Sequence, residues 1–275
     1  MGVVSEGDYG IPKGIWSSFP VTYGDKPEEQ FKNADVIVFI GGFPRKPGME
    51  RKDLMHQNKL IFVEQSKALK VASPDVKCVV VANPANSNTV MLSHFAPHVK
   101  KENITCLTRL DHNRAIAQIA GKTGAKETEI EGVYIFGNHS LTQYPCINNI
   151  KVKGKPISDY ADKEWLTKTY IPKVQKRGGE ILSVRGGSSV FSAANAVIDH
   201  LRDWYLGSDR VTSMGIVSEG DYGIPKGLWT SLPVRCKGNF KYEIVRDVPL
   251  SDFCKGKIAE TVKELEEEYY FYFQK

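Results

Sequence analysis

A chain of 275 residues with 41% hydrophobic and 25% charged residues has an ordinary globular composition, which excludes disorder, collagen and coiled coil as global descriptions. A net charge of +5 is mild at this length and the basic residues are scattered, so no nucleic-acid surface is expected. Five cysteines (Cys78, Cys106, Cys146, Cys236 and Cys254) without a C-x-x-C pair point to reduced thiols rather than disulfides or a metal site, and no apolar run reaches the roughly 18–20 residues of a membrane span.

The chain opens on a duplication. Residues 1–21, MGVVSEGDYGIPKGIWSSFPV, return at 214–234 with four conservative differences, Val3/Ile216, Ile15/Leu228, Ser17/Thr230 and Phe19/Leu232. A repeat array needs at least three units at a period of roughly 20–50 residues, so two copies this far apart are a transplanted segment. After a polar stretch at 24–33, DVIVFIGG (Asp35–Gly42) is a continuous β-branched and apolar run, the pattern of a strand buried on both faces in a parallel sheet. The following PRKPGMERKD reads as an exposed loop. Leu54–Lys70 predicts a helix of imperfect amphipathicity, VKCVVVANP (Val76–Pro84) a second buried strand, Met91–Val99 a helix and ITCLTR (Ile104–Arg109) a third strand. Strands and helices alternating at this spacing imply right-handed crossovers and a parallel α/β sheet.

Beyond these come a predicted helix (His112–Lys122), a strand (Glu131–Phe136), a long mixed region and another helix (Ser188–Trp204). In the second copy, apolar runs flank Glu-Gly-Asp-Tyr-Gly, a hairpin signal. Ser251–Tyr270 predicts an acidic amphipathic helix. No strand is followed by the G-x-G-x-x-G turn of a dinucleotide-binding unit, and Gly41-Gly42 leads into a basic loop instead.

Three groups carry chemistry. LDHNRA puts Asp111 and Arg114 on one face of a helix start. GNHS puts His139 just past a buried strand, where a side chain can enter a cleft. PRKPGMER sets Arg45 and Arg51 six residues apart around a Pro-Gly. Taken singly, each has an ordinary structural reading: a surface ion pair, a satisfied histidine, a solvated basic loop. NPAN at Asn83–Asn86 likewise reads as a turn.

Taken in order, FPRKPGMERKDL, ANPAN, TRLDHNRA and GNHSLTQYP closely resemble the malate dehydrogenases of the cytosolic type, in the lactate/malate dehydrogenase family, from about residue 22 to the C-terminus. The resemblance implies an α/β fold: a partial Rossmann-type parallel sheet at 22–107, its N-terminal strands missing, then an α+β substrate-binding and catalytic domain at 108–275. It leaves 1–21 as a loosely attached duplicate where the first βαβ unit is expected, and Asp35–Gly42 as an apolar strand with an open edge. It further implies NAD as cofactor, malate or oxaloacetate as substrate, no metal, a cytoplasmic location and a homodimer. By the same resemblance His139 is the proton acceptor and Asp111 the carboxylate that fixes its tautomer. Arg114 clamps the C1 carboxylate, Arg51 polarises the carbonyl oxygen and Arg45 pairs with the second carboxylate. Asn83 contacts both substrate and nicotinamide ribose; Asn58, Gln65, Val81 and Ala82 match cofactor contacts, and Ser188 and Ser189 the lining of the nicotinamide pocket. Two readings stay open: an NAD-dependent malate dehydrogenase, or a truncated, non-catalytic or weakly active member that only dimerises.

Overall fold

The computed structural model describes residues 2–4, 16–18, 23–43 and 51–273, with backbone alone at 2–4, 16–18 and 51. Strands β1 (Gly2–Val4) and β2 (Trp16–Ser18) pair antiparallel with each other, and among the described residues neither is bonded into the main sheet. A short helix, α1 (Pro27–Gln30), leads to three parallel strands, β3 (Val36–Phe39), β4 (Lys77–Val80) and β5 (Ile104–Cys106). They are joined by crossover helices α2 (Arg51–Ala68) and α3 (Ala85–Phe95), as the sequence pattern requires. Cys78, Val79 and Val80 of β4 are wholly buried, which is why that strand reads as an unbroken apolar run. Among the described residues β3 is bonded to β4 alone, and Ile40 just past it is 67% exposed.

The second half begins with α4 (Arg109–Thr123) and five short strands, β6 (Ile130–Glu131), β7 (Tyr134–Phe136), β8 (Tyr144–Cys146), β9 (Lys151–Val152) and β10 (Lys155–Pro156), of which β7 and β8 pair with each other and β6, β9 and β10 form a separate three-stranded sheet. A helical stretch then runs from α5 (Lys163–Trp165) through a π-helical turn at Leu166–Tyr170 into α6 (Ile171–Arg185), followed by α7 (Phe191–Leu206). The hairpin β11 (Val211–Val217) and β12 (Trp229–Gly238), with β13 (Lys241–Ile244), joins the main sheet, and α8 (Asp252–Phe273) ends the described chain. The six-stranded order is β13-β12-β11-β5-β4-β3, antiparallel from β13 to β5 and parallel from β5 to β3. The two halves meet where Gly215 lies opposite Cys106; a Cβ at 215 would sit 2.0 Å from the Cys106 Sγ, so only glycine lets the backbones close.

In β11–β12 the register sets Gly215 opposite Ser231 and Val217 opposite Trp229. In β1–β2 it sets Gly2 opposite Ser18 and Val4 opposite Trp16. Shifted by the spacing of the two copies these are the same pairs, so the transplanted segment carries its hairpin register with it.

Several boundaries differ from the sequence reading. The helix expected at Met91–Val99 begins six residues earlier at Ala85, because Pro84 opens a helix rather than closing a turn. The strand expected at Glu131–Phe136 breaks in two at Gly132, whose φ of 72° is left-handed. The helix expected from Ser188 starts at Phe191, and the long mixed region contains α6. Two apolar cores result. One gathers Ile135, Phe136, Tyr144, Tyr170 and Val174 with Ile216 and Leu232 of the hairpin; the other gathers Phe39, Phe62, Val80, Met91 and Leu92 with Trp229. All five cysteines are free and buried, and burial pushes the thiols of Cys78, Cys106 and Cys236 up to about 12. Among the described residues no helix is long and apolar enough to cross a membrane, and no cluster of three metal-ligating side chains occurs.

Candidate active site

Asp111 lies in the first turn of α4, where the helix dipole favours a carboxylate, and its side chain is wholly buried. A buried carboxylate must be compensated, and this one is compensated twice. The Nδ1–H of His139 donates to its Oδ2, and Nη1 of Arg114 donates to its Oδ1 at 3.5 Å. The imidazole and the guanidinium are each only slightly exposed. With Nδ1 engaged by Asp111, the neutral ring of His139 carries its lone pair on Nε2, the tautomer of a proton acceptor. Arg114 also donates from Nη2 to the Ser189 Oγ at 3.4 Å. Burial pulls its guanidinium below the ordinary arginine value while Asp111 opposes that pull. The arginine remains a cation, a five-donor fork held in a mostly enclosed site.

His139 follows β7 on a loop that runs hard against α8. Gly137 has φ of 91°, and a Cβ there would lie 2.1 Å from Thr261, so the close approach needs glycine. The neighbours of His139 are tied to α8: the Asn138 Nδ2 donates to Glu264 and Glu268, each at 3.0 Å, and the Ser140 and Thr142 hydroxyls donate to Glu264 at 2.5 and 2.6 Å.

A second group collects at the carboxyl ends of β3 and β4, the position at which open α/β sheets bind ligands. Val81 is half-buried, Ala82 buried and Asn83 exposed, and the Asn83–Pro84 bond is cis. Asn58 of α2 is wholly buried and laces these ends together. Its Oδ1 accepts from the Phe43 N–H at 2.9 Å, and its Nδ2 donates to the carbonyls of Leu54 at 2.9 Å and Asn83 at 3.4 Å. A Cβ on Gly42 would come within 2.8 Å of the Asn58 Oδ1 and 3.1 Å of the Ala82 Cβ, so the backbone after β3 packs tightly against these two side chains. The buried Gln65 Oε1 has no partner among the described residues. Closely packed strand ends with an unpartnered acceptor on α2 are compatible with a dinucleotide bound at the carboxyl edge of the sheet. No glycine-rich phosphate turn is found among the described residues.

The structure therefore brings together Asp111, His139, Arg114 and Ser189, and separately Asn58, Ala82 and Asn83. Ser188 is exposed, and its carbonyl accepts from Arg185. Arg45 lies outside the described residues; Arg51 opens α2 with its side chain outside them. An open cleft lined by Arg109, His112, Tyr134 and Arg210 contains neither Asp111 nor His139. The sequence reading missed Asn86, whose Oδ1 accepts from the His139 backbone N–H at 2.9 Å, and missed Thr261 and Glu264 on α8. Asn86 was visible inside NPAN, but nothing local signals a partner 53 residues away.

The chain is similar to known proteins over most of its length. The model of the lactate/malate dehydrogenase NAD binding domain matches residues 14–105, and that of the alpha/beta C-terminal domain matches 108–274. The cytoplasmic malate dehydrogenase 3 of Arabidopsis thaliana is 46% identical over 265 residues, covering 92% of this chain and 78% of that protein. The crystal structure of malate dehydrogenase from Naegleria fowleri superposes with a TM-score of 0.87 at 45% identity, over 90% of this chain and 77% of that one. The Trichomonas vaginalis lactate dehydrogenase in complex with NADH and oxamate gives 0.85 at 32% identity, over 90% and 77%. With family models covering most of its length and a relative at this identity, the chain belongs to the lactate/malate dehydrogenase family.

Proposed function

We propose that this chain is an NAD-dependent malate dehydrogenase interconverting (S)-malate and oxaloacetate. The observation that carries this is the buried carboxylate of Asp111, shared between the Nδ1–H of His139 and the guanidinium of Arg114. The cofactor, when bound, supplies the hydride acceptor for C2 of malate. His139 takes the hydroxyl proton at Nε2, and Asp111 holds the ring and stabilises the imidazolium that results; general-base catalysis of this kind contributes roughly 10²–10⁴-fold. Arg114 binds the C1 carboxylate through its two-pronged fork, which a lysine cannot reproduce. Arg51 polarises the carbonyl oxygen, and Arg45 pairs with the second carboxylate that distinguishes malate from lactate. Asn83 serves both substrate and cofactor, and Asn58, Gln65, Val81 and Ala82 form the cofactor wall, with Ser188 and Ser189 beside the nicotinamide. In this reading 22–107 is the cofactor-binding part, 108–275 the substrate-binding part and 1–21 an appendage.

The relatives carry cytoplasmic names, and we place this chain in the same compartment by analogy. A homodimer is supported by α7, which leaves Phe191, Ile198 and Leu206 at 84%, 61% and 68% exposure. Purified protein assayed with oxaloacetate and NADH tests the proposal. Turnover that drops about 10²–10⁴-fold in His139→Asn supports it; no turnover at millimolar NADH favours the non-catalytic, dimerising member instead.

A further inference from the structure

We propose that Asn86 is a positioning residue for catalysis, setting His139 against Asp111 through the histidine's own backbone; this rests on reading His139 as the proton acceptor. The anchors of the 137–142 loop divide in two. Gly137 exchanges backbone bonds with Ser231 of β12, at 3.2 and 2.8 Å. The Asn138 N–H donates to Thr261 at 2.9 Å, and the side chains of Asn138, Ser140 and Thr142 go to Glu264. These bonds fix the loop to β12 and α8. The N–H of His139 itself turns the other way, to the Oδ1 of Asn86 on α3 at 2.9 Å.

Asn86 is wholly buried and its amide is used at both ends, since Nδ2 donates to the Trp229 carbonyl at 3.1 Å. That fixes its orientation. A flipped amide would set donor against donor at His139 and acceptor against acceptor at Trp229. The amide is thus a strut between the hairpin and the histidine, three residues along from Asn83. Asp111 is held independently by α4, so any drift of the His139 backbone changes the Nδ1 bond to Asp111 directly. A misplacement on the order of 1 Å in such a group costs about 10²-fold in rate.

The test compares Asn86→Ala with Asn86→Asp, by kinetics and by proton NMR of the His139 Nδ1–H in the substrate-free protein. For Asn86→Ala we expect kcat for oxaloacetate reduction about 10–100-fold lower, KM for NADH changed less than about threefold, and the Nδ1 proton resonance lost or moved upfield. Asn86→Asp is isosteric and makes both bonds while its buried carboxyl is neutral, so at pH 6 it regains the resonance and most of the lost rate. Should Asn86→Ala fail to fold, Asn86→Ser takes its place, its hydroxyl falling short of the His139 N–H. An unaltered Nδ1 resonance, or kcat per folded molecule within about twofold of wild type, overturns the proposal, and so does an Asn86→Asp that regains stability but not the resonance. A wild-type chain without turnover whose resonance still moves in Asn86→Ala sinks the catalytic reading and leaves the positioning role standing.

Discussion

At the scale of single residues, Arg114 tests the proposed division between binding and catalysis. Its guanidinium is pinned by Asp111 and Ser189, so the fork is pre-set before any carboxylate arrives. Replacing it with lysine removes one charged hydrogen bond of about 1.5–3 kcal/mol, and KM for oxaloacetate should rise about 10–150-fold while KM for NADH stays within about threefold. Steady-state kinetics decides it, and an unchanged oxaloacetate KM would leave Arg114 a structural partner of Asp111. Gly42→Ala acts on the other side. Its Cβ meets the Asn58 Oδ1 and the Ala82 Cβ, so the Asn58 bond to Phe43 must give, and the dissociation constant for NADH in a fluorescence titration should rise about 2–10-fold. The pairing of Asp111 with Arg114 was legible from their spacing, because i and i+3 share a helix face, but spacing alone read it as a surface ion pair and gave no sign that Asp111 is buried. The contact of His139 with Asp111 spans 28 residues and became legible only through the order of the motifs.

At the scale of elements, buried strands announced themselves and helices with interrupted patterns did not. β3 and β4 are apolar runs followed by Gly or Pro, and a run of this kind has few other readings. In α6, Gly178-Gly179 breaks the amphipathic signal, and what seats the helix, the burial of Ile171 and Val174 in the apolar core, is tertiary and lies outside any window of sequence. Two buried histidines on neighbouring helices give this region a pH signature. His112 of α4 faces the Ser213 Oγ of β11 at 2.9 Å, and His200 of α7 faces the Thr105 Oγ1 of β5 at 3.0 Å. Burial, with Arg109 nearby, pulls both imidazoles down to about 3. The unfolded chain protonates them near pH 6.5, so between pH 6.5 and 3 the unfolded state binds more protons. Their contribution is complete above pH 6.5 and declines as pH falls, with a slope approaching about 1.4 kcal/mol per unit for each. Urea midpoints measured from pH 7 to pH 4.5 should fall accordingly, and His200→Gln should flatten the descent; an equally steep descent in that variant argues against the assignment.

At the scale of the whole molecule, the hairpin is one of the elements that enter both cores, Ile216 and Leu232 joining one and Trp229 the other. Its copy at the N-terminus has nearly the same residues and the same register, yet among the described residues β1 and β2 bond only to each other. Deleting residues 1–21 should therefore shift Tm by less than about 2 °C, under 1 kcal/mol for a chain of this size, whereas deleting 214–234 should abolish the cooperative melt in calorimetry. The position of the resident hairpin in the sheet also has a consequence for synthesis. One neighbour of β5, the strand β4, is made before it, but the other, β11, is completed about 110 residues later. At about 5–20 residues per second, the ribosome leaves the flank of β5 unpaired for on the order of 6–22 s. During that interval a nascent chain already carrying three parallel strands presents backbone donors and acceptors to its neighbours on the polysome, so the yield of native protein should depend on translation speed and chaperone supply well before the finished fold's stability matters.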